Sequence, residues 1–190
     1  MTDTTTDAAA QPAPTEADDK LNDYLDNHRP TARPVKENND PPEQLHQLDF
    51  LLGTMVTHFD TGVRMEAVTR PIMGGHYYQM DLQATYPDGS PKLEGKWIIG
   101  WSAPNQQFES YYVDSMGTMG VSYSEGWQDG HLEFVGDHVI GEVGVRTRSK
   151  DAYTVIDATH FRLDAFVEVE GEWKLYDIQD CHVTPPAAAE

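Results

Sequence analysis

The sequence is poor in cysteine and in basic residues. It holds one cysteine, Cys181, which excludes an internal disulfide and any zinc or iron–sulfur site built from several cysteines. Thirteen Lys and Arg stand against 32 Asp and Glu, which gives a formal net charge of −19. Because phosphate-rich partners need a basic face, this balance argues against nucleic acid and against an anionic membrane surface as partners.

Long apolar runs are also missing. No stretch approaches the roughly 20 apolar residues that a membrane-spanning helix needs. Residues 1–14 have neither a basic nor an apolar segment of the kind found in secretion signals, so we expect none. Together with the single cysteine, these absences predict a soluble, cytoplasmic protein with no membrane partner. The acidic excess fits a solubilising surface.

Composition changes near residue 43. All 15 glycines and all four tryptophans lie after that point, whereas six of the 12 prolines lie before it. Residues 1–42 therefore read as a flexible, acidic and proline-rich tail, because they cannot bury enough apolar area to offset the entropy of ordering. A short helix over residues 16–28 is the one ordered piece expected there, either as a lid or as part of a solvated tail. Residues 185–190 read as a disordered C-terminus.

The segment 43–184 predicts a β-barrel. A short helix is expected over residues 42–52, with Gly53 ending it. From Thr54 the apolar period changes to two, and turn residues recur about every 10–12 positions, including Gly136-Asp137 and Ser149-Lys150-Asp151. Nine or ten strands joined by short loops favour an all-β fold, a closed antiparallel meander barrel of about ten strands, with a two-sheet sandwich as the alternative.

Alternation along the strands assigns a ligand-binding face. We predict that the inner face carries large aromatic and sulfur-containing side chains, since a ten-stranded barrel is wider than side chains alone fill. The alternative is a filled core with the polar tips of Tyr and Trp at the rim. The predicted ligand-binding residues are Tyr78, Met80, Trp97, Trp101, Tyr112, Tyr123 and His160.

Four motifs resemble one family. They are Leu48–Thr54 (Leu-Asp-Phe-Leu-Leu-Gly-Thr), Met73–Tyr78, Gly95–Trp101 and Tyr111–Thr118. Their order over residues 45–183 resembles the bacterial lipocalin-like barrels of unknown function, in which a helix leads into strand one through a Leu-Gly-Thr-Trp-type turn. The resemblance implies a barrel akin to nitrobindin-like and fatty-acid-binding-like proteins, which bind hydrophobic ligands or haem. The Gly-x-Trp-x-Gly-x-Gly haem signature is absent, and no cofactor is expected.

Candidate catalytic residues are few. Asp114 at a strand end would act as a general acid or base if it points inward, or would cap the turn that follows it. His76 and Tyr123 complete the candidate set, as polar groups predicted on inner faces. Cys181 would face away from His182 on its strand, so we expect a buried hydrophobic residue rather than a nucleophile. The facing of Arg146 stays open.

No metal site is expected. The eight histidines show no His-x-His or His-x3-His spacing on one element, although His76, His160 and His182 could be assembled from different strands. The composition and patterns therefore predict a barrel that binds a small hydrophobic or aromatic molecule. A cofactor-free cyclase, isomerase or hydrolase of secondary metabolism, and an interaction module with a filled core, are the alternatives. The oligomeric state stays open, with a homodimer as one option.

Overall fold

The computed structural model describes residues 15–27, 40–59, 62–88, 90 and 93–187. The chain forms two units, residues 1–39 and residues 40–190. Most of the predicted tail and the last three residues lie outside the described ranges. Within those ranges, no helix combines the length and apolarity that crossing a membrane requires.

The first unit contains one helix, α1 (Glu16–Asn27), close to the predicted 16–28. It begins with a reciprocal cap, in which the Thr15 amide donates to the Asp18 carboxylate at 2.8 Å and the Asp18 amide donates to the Thr15 hydroxyl at 3.3 Å. Such a cap satisfies amides that the first helical turn leaves free. Its apolar residues Leu21, Tyr24 and Leu25 are all more than half exposed. A role as a lid stays a prediction.

The second unit is a closed antiparallel barrel, as predicted. Consecutive strands pair, except that β6 pairs with β8 instead of with the two-residue β7. Because β1 also pairs with β11, ten strands form the ring. Closure leaves no exposed sheet edge in the ring. The strands are β1 (Gly53–His58), β2 (Arg64–Ile72), β3 (Tyr77–Thr85), β4 (Leu93–Ser102), β5 (Gln107–Asp114), β6 (Met119–Ser124), β7 (Trp127–Gln128), β8 (His131–Ile140), β9 (Val145–Asp157), β10 (His160–Val169) and β11 (Glu172–Thr184).

A 3-10 helix plugs one end of the barrel. The helix predicted over 42–52 is a 3-10 helix, η1 (Glu43–Leu51), whose residues Leu45, Leu48 and Leu51 are at most 2% exposed. The indole of Trp127 donates to the Gln47 carbonyl at 3.1 Å. Because η1 leads directly into β1 and contacts β7, it covers the end of the barrel where these strands begin. We call this the plugged end.

A core of aromatic rings fills the half of the barrel next to the plug. Phe50 of η1 meets Trp127 and Phe161 edge to face, at centroid distances of 5.8 and 5.2 Å. Phe108 and Phe134 are almost completely buried beside them. Edge-to-face contacts between rings add to the free energy gained from apolar burial. The plug is therefore part of the core rather than an appendage.

Two predicted turns are strands. Gly136-Asp137 lies within β8, and Ser149-Lys150-Asp151 lies within β9. Gly136 is required by packing: a Cβ there would lie 1.8 Å from the Val121 carbonyl oxygen of β6. Ser149 and Asp151 face the barrel interior while the amine of Lys150 lies outside, 4.7 Å from the centre of the Phe166 ring.

The inner and outer faces of β6 are the reverse of the prediction. The prediction that Tyr123 of β6 faces inward is wrong, because Ser122 and Ser124 are buried whereas Tyr123 is exposed. Ser122 and Ser110 of β5 share a hydrogen bond of 2.6 Å inside the barrel. A Cβ on Gly120 would lie 1.6 Å from the ring of His138, so only small residues fit on the inner side of β6.

Candidate ligand-binding site

A cavity of about 1060 Å³ occupies the half of the barrel away from the plug. Residues from five turns line its outer limit: Phe59, Tyr86, Met116, Glu142 and Glu170. We call this ring of turns the mouth. Ligand pockets in proteins usually measure about 300–1,000 Å³. The space therefore suits one small organic molecule, and it argues against the alternative of a filled barrel.

The wall is largely apolar. Met80 and Trp97 lie in it as predicted, and the Trp97 indole stacks on the ring of Tyr153 at 6.2 Å with an interplanar angle of 5°. Fixed aromatic planes and flexible thioethers together suit an apolar ligand of irregular shape. The apolar wall comprises Met55, Met65, Met80, Leu82, Trp97, Phe161, Leu163 and Val167.

Two carboxylates lie in one lateral row partway along the cavity, nearer the mouth than Phe161 and Cys181. Ala165 of β10 pairs with Asp151 of β9 on one side and with Asp177 of β11 on the other. Both aspartates line the cavity, and Ala165 between them is 2% exposed. Two strand spacings separate the aspartates, or about 10 Å between their Cα atoms. Alanine fills little of that interval, so space remains between the two carboxylates.

Asp151 has no hydrogen-bond partner among the described residues, whereas Asp177 accepts a bond of 2.8 Å from the Gln179 amide. Removal from bulk water, and then the charge of Asp177, raise the pKa of Asp151 to about 6. An unpaired carboxyl with such a pKa can take up or release a proton near neutral pH. It is the group in the cavity most available to a ligand.

Three phenols surround this carboxylate. Burial raises the pKa of Tyr112, Tyr153 and Tyr176, and the charge of Asp151 contributes in each case. All three hydroxyls therefore stay protonated at neutral pH and can donate hydrogen bonds. Tyr176 reaches the cavity through a β-bulge in β11, where Phe166 pairs with Leu175 directly after the pair of Ala165 with Asp177.

Asp114 caps the turn that follows it and also lines the cavity, so it combines the two placements that the sequence left open. Its Oδ1 accepts from the amides of Met116 and Thr118 at 2.9 Å, which caps the turn between β5 and β6. Its Oδ2 accepts from the Tyr112 hydroxyl at 3.1 Å, and the residue also lines the cavity. Because these bonds engage both oxygens, Asp114 is less free to transfer a proton than Asp151.

His138 of β8 is a second group that the sequence analysis missed. Its Nδ1 lies 2.8 Å from the Ser149 hydroxyl, and its buried Nε2 has no partner among the described residues. Burial lowers the pKa of His138, so the ring is neutral at pH 7. The only sequence signal was the glycine at position 120, which leaves room for this ring.

Three predicted residues lie toward the plug instead of in the cavity. Tyr78 is buried and donates a 2.6 Å hydrogen bond to Asp49 of η1. Trp101 packs edge to face on Phe108 at 5.0 Å. His76 lies in the turn between β2 and β3, at the same end. None of them lines the cavity, because the inner face of each strand extends past the cavity into the core.

His160 faces away from the cavity, and its predicted ligand contact is wrong. Its ring stacks on that of its cross-strand partner His182 at 4.3 Å, and its Nε2 lies 2.5 Å from Asp180. Alternation places all three on the outer face, since Phe161 and Cys181 point inward. Cys181 is buried, as predicted, and accepts a hydrogen bond from Thr57.

The outer cluster of His160, Asp180 and His182 is the group of described residues that could hold a metal ion. One ligand atom from each lies within 4.8 Å of the others. His76, which the sequence analysis considered beside His160 and His182, is not part of it. The expectation that the protein holds no metal stays a prediction.

Arg146 lies at the mouth, directly after the turn that joins β8 to β9, and it is exposed. It is the one Lys or Arg among the described lining residues. The deeper cavity thus contains carboxylates without a fixed cation to pair with them.

A family described as "protein of unknown function (DUF1579)" matches residues 56–176. That stretch covers well over half of the chain and runs from β1 into β11, so the match falls on the barrel. No curated protein matches the sequence. The barrel fits the resemblance to lipocalin-like proteins, whereas the nitrobindin-like assignment stays a prediction. The chain belongs to the DUF1579 family of proteins of unknown function.

Proposed function

We propose that this protein binds a small hydrophobic or aromatic molecule inside the barrel. The cavity of about 1060 Å³, with its apolar wall and few polar groups, is the observation that carries the proposal. The barrel fold itself does not require such a space, because protein interiors otherwise pack closely. The single cysteine and the acidic composition favour a cytoplasmic location for this activity.

A neutral fluorescent ligand tests the proposal. N-phenyl-1-naphthylamine brightens in apolar surroundings, and we expect saturable binding to the full-length protein. Leu163→Gln places an amide in the cavity wall and should weaken this binding by about tenfold, because the ligand must then cover a polar group.

Ile178→Gln is the matched control. Ile178 lies on the neighbouring strand but is exposed on the outer wall, so its replacement should leave the affinity unchanged. Near-ultraviolet circular dichroism of both variants checks that the barrel is intact. Absence of saturable binding to the wild-type protein, or equal weakening by both substitutions, would contradict the proposal.

A second candidate function is cofactor-free acid–base catalysis in the same cavity, as in a cyclase, isomerase or hydrolase. Asp151 favours it, since an unpaired carboxyl with a pKa of about 6 is suited to proton transfer at neutral pH. Of the residues predicted from sequence, Asp114 lines the cavity but is engaged in the turn, and His76 and Tyr123 lie elsewhere.

Elimination of 5-nitrobenzisoxazole probes this candidate without knowledge of the substrate. In that reaction a base removes the proton from C3 while the N–O bond breaks, giving a cyanophenolate. We expect a rate that is half-maximal at about pH 6, where Asp151 is half ionised, and that levels off at higher pH. The rate should fall at least tenfold in Asp151→Asn and be unchanged in Asp137→Asn, an exposed control. A rate that is unaffected by Asp151→Asn would remove this candidate.

A further inference from the structure

The cavity's charges point to one class of ligand. Among the described lining residues there are six carboxylates and a single guanidinium, which belongs to Arg146 at the mouth. The carboxylates that line the cavity are Asp114, Asp151, Asp177, Glu142, Glu168 and Glu170. An anionic ligand such as a fatty acid would meet repulsion there and, among the described lining residues, would find no Lys or Arg below the mouth.

The row of Asp151, Ala165 and Asp177 offers a place for a positive charge. The Asp151 carboxylate has no hydrogen-bond partner among the described residues, and Asp177 is bound only by the Gln179 amide. A compact cation above Ala165 would lie between two carboxylates and supply a partner of opposite charge to both. Charge-assisted hydrogen bonds of this kind are shorter and stronger than neutral ones.

Three phenols that line the cavity lie near the same position. The phenol of Tyr176 is close enough to both carboxylates that their charges raise its pKa, and Tyr112 and Tyr153 respond to Asp151 in the same way. Ring faces attract cations, most strongly where water is excluded. The rest of the wall, from Trp97 to Met65, is apolar and would take a hydrocarbon or aromatic body.

Resting on the proposed function, we infer that the natural ligand is a cationic amphiphile: an apolar body that carries a protonated amine, seated over Ala165 between Asp151 and Asp177. The amine would lie partway along the cavity, while the apolar body would extend past it toward the plug, against Met55, Trp97 and Phe161. The acidic lining would also raise the local concentration of cations at the mouth.

Three ligands that share one body test this inference. Decylamine, decanol and decanoate have ten carbons each and differ in the head group and its charge, and each is used below its aggregation limit to displace N-phenyl-1-naphthylamine at pH 7.5. We expect decylamine to displace the probe at concentrations at least tenfold lower than decanol does, and decanoate to be the weakest. Asp151→Asn should cut this preference for the amine over the alcohol by about tenfold, whereas Asp137→Asn on the outer wall should leave it intact.

The pH dependence supplies a second readout. Asp151 becomes largely protonated at pH 5, so the affinity for decylamine should fall about tenfold between pH 7.5 and pH 5, while decanol should be unaffected. Asp151→Asn should remove most of that fall, which separates Asp151 from the other groups that titrate in the cavity. The titratable and charged groups that face it are Asp177 and Tyr176 from β11, Tyr112 and Asp114 from β5, His138 from β8, Tyr153 on its own strand, and Glu142, Arg146, Glu168 and Glu170 at the mouth.

The possible outcomes separate the two proposals. If N-phenyl-1-naphthylamine binds but decanol or decanoate displaces it as well as decylamine does, the cavity binds ligands and the inference about charge is wrong. The same holds if the preference for the amine survives in Asp151→Asn and in Asp177→Asn. If the probe does not bind at all, the proposed function itself fails. Should Asp151→Asn alter the fold, Asp177→Asn makes the same test from the other side of Ala165.

Discussion

Asp151→Asn should make the protein more stable at pH 8, by about 2 kcal/mol. The pKa of Asp151 is about 6 in the folded protein, above the value of 3.8 for an exposed aspartate. The ionised carboxylate therefore destabilises the folded state relative to the unfolded chain. A difference of about two pH units corresponds to about 3 kcal/mol. The gain should be somewhat smaller, because the asparagine amide must also leave bulk water.

The sign of the effect depends on pH. Because the folded-state pKa is raised, Asp151 is neutral below about pH 4 and lowers the free energy of unfolding little there. The loss of stability grows between about pH 4 and pH 6 and is complete above pH 6. Urea unfolding at pH 4 should therefore show almost no difference between Asp151→Asn and the wild type. Asp137→Asn, on the exposed face of β8, should change stability little at either pH. Equal stability of Asp151→Asn and wild type at pH 8 would show that the carboxylate is as well solvated as in the unfolded chain.

Stabilisation by removal of a charge would carry a functional meaning. Natural proteins tend to retain destabilising groups where activity needs them. A loss of amine affinity together with a gain in stability in the same variant would identify Asp151 as a residue kept for its ligand. A purely structural role would predict a loss of stability instead.

Leu48→Ala should destabilise the barrel by about 2–5 kcal/mol at pH 7. Leu48 is fully buried in η1, and truncation of such a side chain removes apolar burial and leaves a cavity. Leu175→Ala, on the exposed outer wall, should cost less than about 0.5 kcal/mol. Urea unfolding followed by tryptophan fluorescence measures both.

The number of transitions in the unfolding curve of Leu48→Ala shows whether the plug unfolds together with the barrel. Trp127 and Phe50 connect η1 to the core, so the loss should appear as one earlier transition with an unchanged slope against urea. A separate early transition in Leu48→Ala would instead mean that η1 unfolds on its own. Leu48→Met, which keeps most of the volume, should recover stability to within about 1.5 kcal/mol of the wild type.

Much of the barrel follows from the sequence because alternation and turn residues are local signals. Strand β3, with Tyr78, Met80, Leu82 and Ala84 buried, has a clear period of two, and its inner face agrees with the prediction. β4 has the same period, and Trp97 lies on its buried side as expected. The ring closure between β1 and β11 follows from having many strands and short connections.

The row of Asp151, Ala165 and Asp177 could not be found in the same way. Ser149-Lys150-Asp151 has the composition of a turn, and it forms a strand because its inner side chains line a polar, accessible space. At Asp177 a β-bulge interrupts the alternation, so two successive residues, Tyr176 and Asp177, both reach the cavity. Which residues share a row across β9, β10 and β11 depends on strand register, which one sequence does not encode locally.

The inverted face of β6 has another cause. The rule that the larger side chains face inward failed there because space inside the barrel was already taken by the ring of His138, which comes from β8. Small residues on β6 and a large residue on its neighbour complement each other across one row. Such a pair is visible only when two strands are considered together.

The pairing of Thr54 with Thr184 places the start of β1 and the end of β11 side by side, next to the plug and at the opposite end from the mouth. This arrangement has a practical value for measurement. A biotin or a solid support attached on the C-terminal side of β11 would hold the barrel with its opening directed into solution. Immobilised protein would then admit ligands freely, so surface-based kinetics of amine and alcohol binding can be recorded without the anchor obstructing entry.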